Sequence, residues 1–360
     1  MEAKPKKRQR VFYFDLIRAF SCLCIMTVHF NASISGWTNG QFVYGNSLVP
    51  NYYLNGRVYL GGIGVSLFFM LSGATLMMSY RGGLKRFYIR RFRSIYPMFW
   101  VAYIAVALID FMLNRGFVQA DIRLMPLTIT GMDGYLATLG LAPYGFYKIG
   151  EWFLGCIVLL YLVYPAVHAC LERAPAVTAV GSVVLAAVLG MLCERVLGYA
   201  CSGLEPWFKA PEMIFGMLFV RYSLEKKAPL LAAATGACLA LIRLLHLPLH
   251  QLALTTLLCI FLFALLTALS GLVKNGVVRR AVIRFAALSY PIFLLHHWII
   301  ARMVQGFRLD AMPRRDVLAM YAAYMIITLA ASAGLERIMA GIGCFLAPAE
   351  HKDTEISDIK

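Results

Sequence analysis

The stretch VFYFDLIRAFSCLCIMTVHFNASI, residues 11–34, decides how the rest of the chain is read. It is apolar for long enough to cross a bilayer as a helix, which takes roughly 20 residues. It nevertheless carries Asp15, Arg18 and His29, and ionisable groups at membrane depth are costly enough to suggest function. On a helix, Arg18 and His29 are separated by three turns plus roughly 20°, so they share a face about 16 Å apart along the axis. Asp15 lies one turn before Arg18, nearly on that face. The three form a single polar stripe. An ion pair that only orients the helix, with His29 bonded to a neighbour, fits the same pattern. The stretch follows basic residues between positions 4 and 10 and so mimics a signal peptide. Its apolar run is too long for one, and no small-residue cleavage site follows.

Working outward, 61% of the 360 residues are hydrophobic and 14% are charged, against about a quarter charged in soluble domains. The period-two alternation of a membrane barrel is missing. The expected fold is therefore all-α: a polytopic integral membrane helix bundle with about ten transmembrane helices. The spans fall at roughly 11–34, 58–80, 96–113, 148–170, 176–197, 207–222, 229–246, 252–272, 285–304 and 317–346. Residues 1–346 read as one transmembrane domain and residues 347–360 as a cytoplasmic tail.

A net charge of +16 would suggest nucleic acid in a soluble protein. Here Lys and Arg concentrate in alternate connecting segments, chiefly 4–10, 81–93 and 274–284. The positive-inside rule explains that asymmetry and puts both termini in the cytoplasm of a cell whose plasma membrane holds the protein. Arg308, Arg314 and Arg315 form the one cluster against it. No nucleic-acid partner is expected. The nine cysteines lack metal-ligand spacing and read as small helix hydrophobes, so no metal is expected.

Two extracytoplasmic segments are long. Residues 36–57 combine Trp37, Asn39, Phe42, Tyr44, Asn46, Asn51, Tyr52, Tyr53 and Asn55. Aromatic faces and amides suit a sugar ring, and equally suit an aromatic belt at the membrane interface. On the cytoplasmic side, Arg86, Arg90, Arg91 and Arg93 interleave with aromatics. Such a surface can hold anionic lipid or the phosphates of a nucleotide cofactor, which arginine forks match.

These features, in order along the chain, resemble the membrane-bound acyltransferase 3 family, whose members O-acylate surface polysaccharides and related molecules. The resemblance begins with Arg18 and His29, continues through GVSLFFMLSG (64–73), Arg90-Arg91 to Tyr96-Pro97 and Trp100, then EWFL (151–154) with Tyr161 and Pro165. It ends with Phe215-Gly216-Met217 and LSYPIFLLH (288–296). Many members carry a Glu after the Trp-Phe-Leu; this chain has Cys156-Ile157-Val158 there, and Glu151 before it.

The resemblance implies an O-acyltransferase moving an acyl group, with acetyl expected, from cytosolic acyl-CoA to a hydroxyl of an extracytoplasmic carbohydrate or lipid-linked glycan. Acyl-CoA is a co-substrate, and no permanently bound cofactor is implied. His29 is the expected base, since a histidine suits deprotonation of a hydroxyl near neutral pH, with Arg18 and Asp15 placing or charge-balancing the donor arm. Arg86, Arg90, Arg91, Arg93 and Ser72 fall to the donor, and Trp152, Glu151, Tyr290 and His296 to substrate. A transporter or flippase of a lipid-linked sugar or other small anionic substrate is the rival reading, because intramembrane charges and a Pro-broken helix also line substrate paths.

Overall fold

In the computed structural model, residues 10–38, 41–42, 47–54, 56–116, 120–309 and 312–346 are described. Asn39, Tyr44, Asn46, Asn55, the side chains of Trp37 and Phe42, and the expected tail at 347–360 lie outside the described residues.

The chain is helical throughout its apolar stretches. The major helices are α1 (Phe12–Ser35), α2 (Leu60–Ser79), α3 (Leu84–Asn114), then the short α4 (Met125–Ile129) and α5 (Asp133–Thr138). They are followed by α6 (Glu151–Arg173), α7 (Pro175–Arg195), α8 (Pro206–Arg221), α9 (Ala228–Leu244), α10 (Gln251–Ser270), α11 (Gly276–Ala287), α12 (Ser289–Met303) and α13 (Arg314–Leu346). The described strands are two small antiparallel hairpins between α1 and α2, Trp37–Thr38 with Gln41–Phe42 and Tyr52–Tyr53 with Val58–Tyr59.

The helices match the expected all-α polytopic bundle. Among the described residues, eight helices are long and apolar enough to cross a membrane, and α11 with α12 makes a ninth as one span bent by 66°. The expected span 207–222 is α8, whose 16 residues make it shorter than the roughly 20 of a typical crossing. What fixes α8 is its packing on α2. A Cβ on Gly73 would stand 1.8 Å from the Met213 carbonyl oxygen, and one on Gly216 would stand 1.8 Å from that of Met70. Only glycine permits this backbone contact, as small residues do where membrane helices approach closely.

Two boundaries moved for local reasons. The basic run expected as a connecting segment before residue 96 is the start of α3, which begins at Leu84 after Gly82 and Gly83 turn the chain with φ of 74° and 78°. Arg and Lys are good helix formers, and nothing between Leu84 and Pro97 interrupts the helix. The expected span 285–304 breaks at Leu288, between α11 and α12. Pro291 sits in the first turn of α12, where its missing N–H costs nothing.

Helices α1 and α2 are the most enclosed spans. Val28, Cys24, Ile17, Leu67 and Phe263 join α1, α2 and α10 in one core, and Met26, Phe30, Phe99, Ile299 and Tyr324 join α1, α3, α12 and α13 in another. Cys22, Cys24, Cys156 and Cys259 are buried as free thiols. The chain beyond α1 folds back over it: Asn31 donates to Val49 O at 3.0 Å and Asn51 Oδ1 at 2.9 Å, and accepts from Leu48 N at 2.9 Å.

Candidate active site

A cavity of about 670 Å³ follows α1 from Arg18 past Cys22 and Met26 to His29. Its size is that of a small-molecule site. Most of the wall is apolar, and its polar side chains include Arg18, Ser72, Tyr290, Glu151, His296 and Lys209.

At the His29 end, Glu151 is the first residue of α6, following Gly150 at φ 95°. A carboxylate is favoured there by the free N–H groups and dipole of a helix N-terminus. Three imidazoles surround it. His29 Nε2 is 3.3 Å from Oε2, while His297 Nδ1 at 3.3 Å and His296 Nε2 at 3.5 Å approach Oε1. His296 is fully buried, His297 is half exposed, and His29 keeps a quarter of its side-chain surface, which faces the cavity. His296 Nδ1 stands 3.0 Å from the carbonyls of Ile292 and Phe293. Carbonyls only accept, so Nδ1 carries a hydrogen, and in the neutral ring Nε2 turns a bare lone pair toward Glu151.

The elements that carry these residues are tied together by Asp110 of α3. It accepts from Lys148 at 2.8 Å, just before Glu151, from Trp298 Nε1 at 3.1 Å and from Arg302 of α12. Buried carboxylates persist when every oxygen is paired in this way.

The opposite end of the cavity is cationic. Asp15 is buried and takes Arg10 Nε at 2.6 Å, Arg10 Nη2 at 3.0 Å and Arg18 Nη1 at 3.2 Å. Arg18 lines the cavity and Asp15 does not, so Asp15 holds Arg18 from behind. Arg10 also donates to Ile283 O of α11 at 3.2 Å.

The expected site residues separate into groups. His29, Glu151, His296 and Trp152 meet at one end, and Arg18, Ser72 and Tyr290 also line the cavity. Tyr290 Oη donates to Ile95 O at 2.8 Å. Of the arginine run, Arg91 is half-buried with its guanidinium 5.9 Å from the ring centre of Tyr161, itself a lining residue. Arg86, Arg90 and Arg93 are exposed on α3 and do not line the cavity.

Three participants were missed in the sequence. His297 directly follows the quoted run that ends at His296, but neighbours on a helix point about 100° apart, so nothing local brings both to one carboxylate. Lys209 reads as a loop charge; it is buried on α8 and lines the cavity. Arg10 reads as topology alone, and it is the closer partner of Asp15.

The fold and site define a multi-pass membrane protein with a cavity that joins a cationic end to a histidine–carboxylate cluster. The family model described as an acyltransferase domain matches residues 11–337. The chain therefore belongs to the acyltransferase 3 family and is a membrane acyltransferase. No curated protein matches it, and no solved structure does.

Proposed function

We propose that the protein moves an acyl group, with acetyl the expected one, from cytosolic acyl-CoA to a hydroxyl of an extracytoplasmic carbohydrate or lipid-linked glycan. The observation that carries this reading is the cavity along α1, with Arg18 at one end and His29 against Glu151 at the other. With α8 as the tenth crossing, both termini lie in the cytoplasm and the Arg18 end faces inward. The pantetheine arm enters past Arg18. Arg91, braced on Tyr161, meets phosphate at the mouth, and the exposed Arg86, Arg90 and Arg93 meet phosphates that stay outside.

The hydroxyl oxygen attacks the thioester carbon, an ester C–O bond forms and the C–S bond breaks. His29 takes the hydroxyl proton and passes it to the departing thiolate. Thiols ionise near pKa 8.5, so the leaving group needs little help and the nucleophile needs the base. Glu151 orients His29 and balances the imidazolium that forms, the role a carboxylate plays behind a catalytic histidine.

Purified protein in nanodiscs, given radiolabelled acetyl-CoA and a cell-envelope glycan, should label the glycan, and His29→Gln should not. A transporter would move glycan without labelling it. Topology is checked by single cysteines in a cysteine-free background. A membrane-impermeant reagent on intact cells should reach position 140 and not position 275; the reverse pattern removes the inward-facing Arg18.

A further inference from the structure

We propose that His29, Glu151 and His297 form a binding site for a divalent cation of the zinc class, and that occupancy by such an ion blocks acyl transfer. The binding stands apart from the acyl-transfer reading; only the block rests on it.

The argument starts from two lone pairs. In the neutral ring His296 Nε2 is a bare acceptor, because the one hydrogen sits on Nδ1 toward Ile292 O and Phe293 O. It faces Glu151 Oε1 at 3.5 Å. Both atoms are buried and neither has a hydrogen-bonding partner among the described residues. Two acceptors held face to face repel unless something positive sits with them. A proton can do this for one pair. The cluster, however, turns more lone pairs to the same place than one proton can use: His29 Nε2 and His297 Nδ1 each lie 3.3 Å from the carboxylate as well. One ligand atom from each of His29, Glu151 and His297 lies within 4.8 Å of the other two.

Zinc bound to imidazole and carboxylate has bonds of about 2.0–2.2 Å, so tetrahedral ligand atoms stand about 3.3 Å apart. His29 Nε2 already has that spacing from Oε2 of Glu151, and His297 Nδ1 has it from Oε1. The remaining separation closes by rotation of His297, the most exposed member. The donor set selects the class. Calcium and magnesium take oxygen ligands, whereas two imidazoles and one carboxylate suit zinc and its transition-metal neighbours. A ring N–H anchored on backbone carbonyls opposite a bare nitrogen, as in His296, is also how proteins orient imidazoles around a metal.

The consequence follows from a shared imidazole. An ion on His29 Nε2, the nitrogen beside Glu151, lowers the basicity of the whole ring, so the other ring nitrogen no longer takes the hydroxyl proton. His297 stands outside the cavity lining, so its replacement weakens the ion site while leaving His29 in place.

Full-length protein in nanodiscs, stripped by chelator, is titrated with zinc chloride against a fluorescent zinc indicator, and its thermal midpoint is recorded. The expected result is one zinc per chain and a raised midpoint. His297→Ala and the gentler His297→Gln should bind roughly ten- to a hundred-fold more weakly, while His168→Ala, on the far end of α6 beside Tyr80, should bind as the parent does. In the transfer assay zinc should suppress the parent reversibly with chelator, and suppressing the activity that His297→Ala retains should take roughly ten- to a hundred-fold more zinc. Magnesium chloride should do neither. Failure of the parent to take up stoichiometric zinc overturns the proposal, as does uptake unchanged by both His297→Ala and His29→Gln. Zinc uptake that depends on the histidines, in protein that never transfers an acyl group, sinks the acyl-transfer reading and leaves the site standing.

Discussion

At the Arg18 end of the cavity, Asp15 is held by both Arg10 and Arg18, whereas at the His29 end Glu151 faces three imidazoles and keeps a buried oxygen without a hydrogen bond. The first end sets two guanidiniums against one carboxylate within one stretch of chain and keeps a surplus positive charge. The second gathers basic nitrogens and carboxylate oxygens from three helices and leaves lone pairs unused. Paired charge at membrane depth is cheaper to maintain than lone charge, and the surplus positive charge suits a surface that holds an anionic donor. Unmatched lone pairs are expensive, and they are what a base needs in order to accept a proton. The difference assigns binding to one end and chemistry to the other.

The largest effect should come from the chemical end. His29→Gln keeps some hydrogen bonding and removes basicity, so turnover should fall by about 10²- to 10⁴-fold with acyl-CoA binding nearly intact. Near-normal turnover would make His29 structural, move the search to His296 and erase the contrast. Next comes Glu151→Gln, which preserves shape and removes charge. It should lower kcat by about a hundred-fold, the scale of a misplaced catalytic group, with little change in KM for either substrate. A matching rise in KM instead would make Glu151 a substrate ligand.

A middle-sized effect should come from between the ends. Gly73→Ala sets a methyl 1.8 Å from Met213 O and should destabilise the α2–α8 pair by about 1–3 kcal/mol or more, read as a lowered thermal midpoint. Gly181→Ala on α7, with nothing within 4 Å of its Cβ, should leave the midpoint alone. If the two glycines behave alike, the backbone contact that sets Ser72 and the cavity wall is not as described.

The smallest effects belong to the donor end. Arg91→Gln should raise the apparent KM for acyl-CoA by about fivefold, the worth of roughly 1 kcal/mol for a partly exposed charge, and Arg93→Gln by less. Added salt should mimic both, because exposed charges are screened within about 10 Å at 0.1 M. Unchanged acyl-CoA dependence in correctly inserted variants would return these arginines to a purely topological role.

Part of this contrast was legible in one dimension. The apolar length of each stretch is local, so the membrane-spanning helices α1, α2, α6, α7, α10 and α13 were readable from hydropathy alone. The spacing of Arg18 and His29 is also local, and it placed both on the wall of one cavity. The break before Pro291 was readable because proline restricts its own helix, although the chain bends at Leu288. The closeness of α8 to α2 was not readable: it rests on two glycine contacts between helices far apart in the chain.

What the sequence by itself determined is therefore the helix bundle and the polar stripe on α1, because each depends on residues within a few turns of one another. What only the tertiary structure decided is which charges meet. Asp15 found Arg10 as well as Arg18, Arg91 alone of the arginine run leaned on the cavity wall at Tyr161, and Lys209 turned inward. Glu151, His29 and the paired His296 and His297 come from three helices far apart in the chain. The physical reason is that a lone ionisable residue in an apolar helix has no local partner, so its role is fixed by whichever helices pack around it.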